Sequence, residues 1–275
     1  MIPVRVGDKI AINMEDWGNI NNKPVLFIHG WPQNHKTFEY QFMHLSQNGY
    51  RCIGIDLRGF GRSDGSWSEY NYDIFADDIK DVIDILNITD ITLVGFSMGG
   101  AIAMHYISKY FSERVSKVVF MGAAAPCFTK REGFPYGLEK SDCDRLIAQS
   151  IEDRPKMLSD FGRIFFEEKE GIPISQDTVR WLHQIGMEAS PYATIKCLEV
   201  LRDADLRSDM MAVKDRNIPV AIFHGSHDKI CPFDLAREMH KGIPQSRLVE
   251  FTESGHGLNI QEKAKTNEEL MKFIG

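Results

Sequence analysis

The stretch Ile91-Thr-Leu-Val-Gly95-Phe96-Ser97-Met98-Gly99-Gly100 decides the fold of this chain. An apolar, β-branched run leads into a G-x-S-x-G turn, after which a helix is predicted to begin near Ala101. Glycines on both sides of the serine permit a turn in which larger side chains would collide with the neighbouring strand or helix. The pattern predicts a nucleophile elbow that holds the Ser97 hydroxyl outward and aims the Met98 N–H at an oxygen bound beside it.

Two later loops supply an acid and a base, in the chain order serine, acid, histidine. Residues 218–225 predict a strand that delivers Asp228 at its carboxyl end. Residues 246–253 alternate like a short strand and end in a loop where two glycines flank His256. A serine hydroxyl needs a base to take its proton, and the imidazole needs a carboxylate that fixes its tautomer. The pattern therefore predicts catalytic roles for Ser97, Asp228 and His256.

Structural interpretations stay open beside the catalytic ones, because a G-x-S-x-G motif alone is often a plain turn. Asp228 could cap the helix that starts near Pro232, and His256 could be an ordinary loop residue. The chain order favours catalysis, since no other histidine follows a strand after Asp228, and His240 lies within a helical pattern. Structural roles are assigned to His29, His105, His224 and His227.

Composition excludes several classes of partner. The 275 residues suffice for one α/β domain with an insertion, and a net charge of −7 argues against nucleic acid or an anionic membrane as a partner. No apolar run is long enough to span a bilayer, so we expect a cytoplasmic protein. The five cysteines lack C-x-x-C spacing, which argues against a disulfide framework or a zinc site. No cofactor or metal is expected, and the sequence is compatible with a homo-oligomer.

The order of predicted elements places the chain in the α/β class. Strands alternate with helices in residues 1–121 and 215–275, which predicts a core with a mostly parallel, doubly wound sheet. An antiparallel edge hairpin is expected over residues 3–15, with its turn at Gly7-Asp8. Further strands are predicted over residues 24–28, 51–55 and 115–121, and helices over residues 37–48 and 72–86.

Residues 122–214 have helical spacing without strands and are rich in aromatic residues, which predicts a helical cap inserted into the core. Most of these aromatic side chains are expected to form the interior of the cap, and a few to roof an apolar pocket over Ser97. Four helices are predicted, over residues 142–151, 155–166, 175–185 and 191–201.

These features together resemble the α/β-hydrolase superfamily over the whole chain. The landmarks are His29-Gly30-Trp31-Pro32, the segment Asp56 to Ser63, the elbow, and the loops that carry Asp228 and His256. Within the superfamily, the chain is most similar to the cofactor-free bacterial haloperoxidase, arylesterase and perhydrolase group. That similarity rests on the H-G-W-P loop and on residues 71–78 and 190–194.

The resemblance implies a serine esterase that cleaves small to medium, largely apolar carboxylic esters or lactones through an acyl-enzyme. It implies an oxyanion hole formed by the backbone N–H groups of Trp31 and Met98, in agreement with the geometry of an elbow. In the resembled group, a proline at the position of Pro32 accompanies attack by hydrogen peroxide, which yields peracids. The substrate pocket is expected to be lined by Trp31, Pro32, Phe134, Ile230 and Leu258.

Two other functions could use the same residues: a signalling protein that binds a ligand and turns it over slowly, and a carbon–carbon bond hydrolase or lyase. A phosphate site is not expected in residues 56–63, which are interpreted as a structural turn where Arg58 and Arg62 tie loops together. Because Ser97 occupies the elbow, the aspartate nucleophile of haloalkane dehalogenases is excluded.

Overall fold

A seven-stranded sheet organises the chain in the computed structural model, which describes residues 3–7, 10–110, 113–166 and 172–275. A separate antiparallel pair comes first, and the sheet then runs in the spatial order β3-β5-β4-β6-β7-β8-β9. Only β3 is antiparallel to its neighbour in this sheet, which confirms the predicted α/β-hydrolase architecture. The strands are β1 (Val4–Val6), β2 (Ile10–Ile12), β3 (Met14–Trp17), β4 (Lys23–Ile28), β5 (Tyr50–Ile55), β6 (Ile91–Phe96), β7 (Val115–Met121), β8 (Val220–Gly225) and β9 (Arg247–Phe251).

Helices cover the sheet, so strands β5, β6 and β8 are buried along their whole length. None of the helices in the described part of the chain is long and apolar enough to cross a membrane. The helices are α1 (Glu39–Gln47), α2 (Tyr72–Leu86), α3 (Met98–Lys109), α4 (Lys140–Ile164), α5 (Gln176–Met187), α6 (Pro191–Asp203), α7 (Arg207–Arg216), α8 (Asp234–Gly242), α9 (Leu258–Gln261) and α10 (Lys263–Ile274).

The N-terminal segment differs from the predicted hairpin over residues 3–15. Strand β2 ends at Ile12 and β3 begins at Met14, so one predicted strand is two, in different sheets. Between them, the Asn13 N–H donates to Ser63 Oγ at 2.8 Å and its side-chain amide donates to Asp56 Oδ2 at 2.9 Å, which turns the chain toward the β5 loop. Asp8, the second residue of the predicted turn, lies outside the described residues.

The helices between β7 and β8 agree in part with the four predicted in residues 122–214. The predicted helices over residues 142–151 and 155–166 are the two halves of α4, which bends at Asp153 because its φ/ψ of −152°/80° is not helical. Helices α5 and α6 match the next two, whereas α7 has no predicted counterpart. Helix α7 packs against α3 and α8 and includes residue 214, where the predicted cap ends.

A buried histidine joins the loop after β4 to the loop after β5. The His29 ring donates from Nδ1 to the Gly30 carbonyl at 2.9 Å and accepts the Leu57 N–H at Nε2, also at 2.9 Å. Both ring nitrogens are therefore occupied in one neutral tautomer. Burial lowers the pKa of His29 to about 4, although the nearby Asp56 charge opposes that shift.

Asp56 holds the second loop together. Its carboxylate accepts hydrogen bonds from the His35 ring at 2.6 Å and from the Arg62 N–H at 3.0 Å. Burial alone would raise the pKa of Asp56, but the hydrogen bond and charge of His35 outweigh burial and lower it to about 2. Two residues after Asp56, Arg58 forms a bidentate ion pair with Asp78 of α2, with N···O distances of 2.5 and 2.6 Å. These contacts fit the structural interpretation of residues 56–63.

Strands β4 and β6 and helix α3 meet backbone to backbone. A Cβ added at Gly99 would lie 2.2 Å from the Ile28 carbonyl oxygen, and one added at Gly95 would lie 2.4 Å from the Gly99 carbonyl oxygen. Such distances are impossible for real Cβ atoms in contact with backbone, so only glycine fits both positions.

Replacing Gly99 by alanine should destabilise the fold, because the new methyl group can be accommodated only if β4 and α3 separate. We expect Gly99→Ala to lower the free energy of unfolding by about 3 kcal/mol and the melting temperature by roughly 10 °C. Thermal denaturation followed by circular dichroism measures both. Gly65→Ala is the control, since a Cβ there meets no atom within 4 Å. Equal melting temperatures for the two variants would contradict this packing.

The buried neutral His29 should make stability depend on pH. An unfolded histidine is protonated below about pH 6.5, but folded His29 only below about pH 4, so the unfolded state binds more protons in between. As the pH falls from 6.5 to 4, this group should therefore remove up to about 3 kcal/mol of stability. Urea denaturation of wild type and His29→Gln at pH 7 and pH 4 measures the difference. If the two proteins lose the same stability, His29 is not responsible.

Candidate active site

Ser97 occupies the turn between β6 and α3 in a strained conformation. Its φ of 55° and ψ of −120° lie in a region that non-glycine residues rarely adopt. The backbone around it holds this geometry: the Ser97 N–H donates to the Met121 carbonyl at 2.9 Å, and the Ser97 carbonyl accepts the Ala124 N–H at 3.0 Å. Helix α3 begins directly after it at Met98, three residues before the predicted start near Ala101.

The H-G-W-P loop after β4 lies against the serine. A Cβ added at Gly30 would be 2.6 Å from Ser97 Cβ, so the absent side chain lets this loop approach the elbow. Trp31 follows Gly30, and its peptide bond to Pro32 is cis. The Met98 N–H is the first of α3 and has no acceptor within the helix. The structure therefore brings together the two backbone segments that were predicted to bind an oxyanion.

Asp228 and His256 form a hydrogen-bonded pair. His256 Nδ1 donates to Asp228 Oδ2 at 2.7 Å, and the residues are 1% and 6% exposed, respectively. The other carboxylate oxygen accepts the N–H groups of Ile230 at 2.8 Å and Cys231 at 2.7 Å. Burial alone would raise the pKa of Asp228, but the charge and hydrogen bond of His256 and a hydrogen bond from His224 outweigh it and lower that pKa below its usual range.

His224, which was expected to have a structural role, is a neighbour of Asp228. It lies at the end of β8, with Nε2 2.7 Å from the Cys231 carbonyl oxygen and 3.4 Å from Asp228 Oδ2. Since a carbonyl only accepts, Nε2 carries the proton, and this N–H also points its positive end at the carboxylate. The only signal in the sequence is a histidine four residues before the candidate acid.

Cys231 is a second neighbour that the motifs did not reveal. Its backbone N–H binds Asp228, and its thiol lies within hydrogen-bonding reach of the Ser97 side chain. Burial and the Asp228 charge raise the pKa of this thiol, so it remains neutral next to the serine.

Aromatic rings hold the imidazole beside the elbow. The His256 ring packs against Phe96, the residue before Ser97, with ring centroids 4.9 Å apart. Phe165, at the end of α4, lies edge-on to the same imidazole at 5.1 Å. Its carbonyl accepts the Gly257 N–H at 3.0 Å, so the region between β7 and β8 contacts the histidine loop directly.

The loops that carry Asp228 and His256 are packed without intervening side chains. A Cβ added at Gly225 would lie 2.1 Å from the Gly255 carbonyl oxygen. The His227 N–H also donates to the Ser254 carbonyl at 3.1 Å. This contact brings the ends of β8 and β9 close enough for Asp228 to reach His256.

The predicted pocket residues lie in different surroundings. Trp31 is buried, and its indole N–H donates to the Thr194 carbonyl of α6 at 2.9 Å. Pro32 lines a cavity between this loop, α4 and α5. Ile230 is buried two residues after Asp228 and Leu258 is buried at the start of α9, whereas Phe134 packs against Tyr136 in the segment before α4. Their roles in binding substrate stay predictions.

In the residues that the structure describes, no cluster of three or more histidine, cysteine or acidic side chains could hold a metal.

Comparison with known proteins gives the same fold. A family model described as alpha/beta hydrolase fold matches residues 23–155, and one described as TAP-like protein matches residues 186–274. The chain is 45% identical over 270 residues to AB hydrolase superfamily protein YisY of Bacillus subtilis (strain 168), covering 98% of this chain and 97% of that one.

Two further relatives indicate a group within this fold. The chain is 30% identical to non-heme chloroperoxidase CPO-A1 of Kitasatospora aureofaciens over 97% of both proteins. Among solved structures, the esterase EaEST from Exiguobacterium antarcticum superposes with a TM-score of 0.94 and 42% identity, over 99% of this chain and 98% of that one. The chain belongs to the α/β-hydrolase superfamily, in the group that includes bacterial esterases and non-heme haloperoxidases.

Proposed function

We propose that the protein cleaves small to medium, largely apolar carboxylic esters or lactones through an acyl-enzyme formed on Ser97. The protein is a carboxylic ester hydrolase, and the proposal concerns its catalytic residues and its substrates. The observation that carries it is the 2.7 Å hydrogen bond from His256 to Asp228, with the imidazole packed on the residue that precedes Ser97.

The proposed reaction has two halves. His256 takes the proton of the Ser97 hydroxyl through Nε2 while the serine oxygen attacks the ester carbonyl. The N–H groups of Trp31 and Met98 stabilise the oxyanion of the tetrahedral intermediate. His256 then donates its proton to the leaving alcohol, and in the second half it activates a water molecule that hydrolyses the acyl-enzyme.

Asp228 supports this sequence by remaining ionised. Because its pKa lies below the usual range, it is a carboxylate at neutral pH and stabilises the imidazolium that forms on His256. The hydrogen bond at Nδ1 also leaves Nε2 as the nitrogen that can take the proton of Ser97. Burial of the pair excludes water, which strengthens both effects.

We also propose that residues 122–214 act as a cap over this site, and that residues 1–121 and 215–275 form the core. Two contacts support the division of roles: Phe165 of the α4 end touches the imidazole, and Thr194 of α6 binds the indole of Trp31. The cap would thereby form the walls of the substrate pocket while the core supplies the catalytic groups.

Removing any member of the proposed triad should abolish most of the activity. We expect Ser97→Ala and His256→Ala to lower kcat on p-nitrophenyl butyrate by about 10⁴-fold or more, and Asp228→Asn by a comparable factor. The loss should appear in kcat, because these groups act on the transition state rather than on substrate binding. Initial rates and melting temperatures of each variant measure it.

The adjacent histidine offers a matched control. His227→Ala removes a half-buried imidazole one residue from Asp228, and it should keep wild-type kcat. Esterase activity retained by well-folded Ser97→Ala would refute the serine mechanism. Negligible turnover by wild type would instead favour the ligand-binding alternative.

Perhydrolysis is a second candidate activity, in which hydrogen peroxide replaces water in the second half-reaction. Pro32 favours it, because a residue without an N–H follows Trp31 in the loop beside Ser97. The similarity to a non-heme chloroperoxidase also favours perhydrolysis. Peroxide would attack the acyl-enzyme carbonyl and release a peracid while regenerating the Ser97 hydroxyl.

Peracid formation from acetate esters tests this activity. With hydrogen peroxide present, we expect wild type to form peracetic acid, and Pro32→Leu to lower the ratio of perhydrolysis to hydrolysis several-fold, because leucine restores an N–H and changes the loop. The peracid is detected because it oxidises bromide, and the oxidised bromide then changes the absorbance of an indicator dye. A ratio that Pro32→Leu does not alter would remove Pro32 from the explanation.

A further inference from the structure

A mostly apolar cavity lies beside the candidate active site. Its empty volume is about 310 Å³, part of which is open to solvent. Side chains of the H-G-W-P loop region, α4 and α5 form most of its wall, namely Pro32, Gln33, Leu158, Phe161, Phe165 and Leu182.

Two of these rings also belong to the active site. Phe161 lies edge-on to the indole of Trp31, with centroids 5.0 Å apart, and Phe165 lies edge-on to the His256 imidazole at 5.1 Å. The cavity therefore shares two of its rings with the surroundings of Trp31 and His256.

Gln33 contributes a buried polar side chain to the cavity wall. Gln33 is only 4% exposed, and within the described ranges its side-chain oxygen Oε1 finds no hydrogen-bond donor. Its backbone is already fixed, because the Gln33 N–H donates to the Gly30 carbonyl at 2.9 Å. An unpaired buried amide oxygen lowers stability unless a ligand or water supplies a donor, so its position in a pocket wall points to a ligand.

We propose that Gln33 forms a polar subsite that accepts a hydrogen bond from a hydroxyl group of the substrate. The preferred substrates are then hydroxylated esters rather than purely apolar ones, an inference that rests on the proposed ester hydrolysis. Gln33 follows Trp31 by two residues, so their Cα atoms are at most about 7 Å apart. The hydroxyl therefore lies a few bonds from the ester carbonyl, with an apolar chain against Phe161 and Phe165 between them.

A pair of matched substrate series tests the subsite. The kcat/KM of ethyl hexanoate is compared with that of its analogues hydroxylated at the third or at the sixth carbon, and hexyl acetate is compared with its terminally hydroxylated analogue. We expect wild type to prefer at least one hydroxylated ester by about tenfold, because the deoxy ester leaves Gln33 unpaired. Gln33→Met keeps the length of the side chain and should reduce that preference to about one.

Two further variants make the comparison specific. Gln47→Met makes the same chemical change at an exposed position at the end of α1 and should retain the preference. Gly162→Leu narrows the cavity from α4, where an added Cβ meets no atom within 4 Å, and should reduce the preference as well.

Different results would contradict the Gln33 subsite and the proposed ester hydrolysis. Equal kcat/KM for hydroxylated and deoxy esters in wild type overturns the subsite while leaving ester hydrolysis intact. A preference that survives in folded Gln33→Met also overturns it, and would assign recognition to other groups. Failure of wild type to hydrolyse any ester would instead refute the function on which the subsite rests.

Discussion

The close approach of β4, β6 and α3 is the constraint on which the active site depends. Because backbone replaces side chains at Gly95 and Gly99, the elbow can place a serine in a strained conformation at the edge where the parallel strands end. The same approach at Gly30 carries the H-G-W-P loop to Ser97. Large apolar side chains supply the stability of the fold, but the absence of side chains at these few points lets Ser97 and the H-G-W-P loop come together.

Two buried aspartates have similar hydrogen-bond partners but different roles in the structure. Asp56 and Asp228 follow strands β5 and β8, and both are held ionised by backbone N–H groups and a histidine. The partner of Asp56 is His35, within a network that joins loops. The partner of Asp228 is His256, whose ring lies among aromatic side chains next to the elbow. Location relative to Ser97, and not the strength of the pair, distinguishes a structural carboxylate from a proposed catalytic one.

Sequence motifs predicted most of the strands and helices, since periodic apolar runs and glycine-flanked turns are local properties of a sequence. The G-x-S-x-G turn, the strand-end positions of Asp228 and His256 and their order in the chain together predicted a triad with Ser97. Helix α7 was missed because Arg207, Asp209, Lys214, Asp215 and Arg216 leave its ten residues without an apolar stripe. The surroundings of His224 and Gln33 could not be predicted, because an unpartnered atom or a cavity arises only when distant elements pack together.

The bend in α4 divides this helix into two separately initiated parts. Asp153 accepts the Lys156 N–H at 3.0 Å, as an N-cap does, and Pro155 occupies the first turn that follows. The second part, which carries Phe161 and leads to Phe165, therefore takes its register from this cap and not from residues 140–152. A change of register confined to the exposed positions of residues 140–152 would therefore stop at this cap, before it reached the two rings that contact Trp31 and His256.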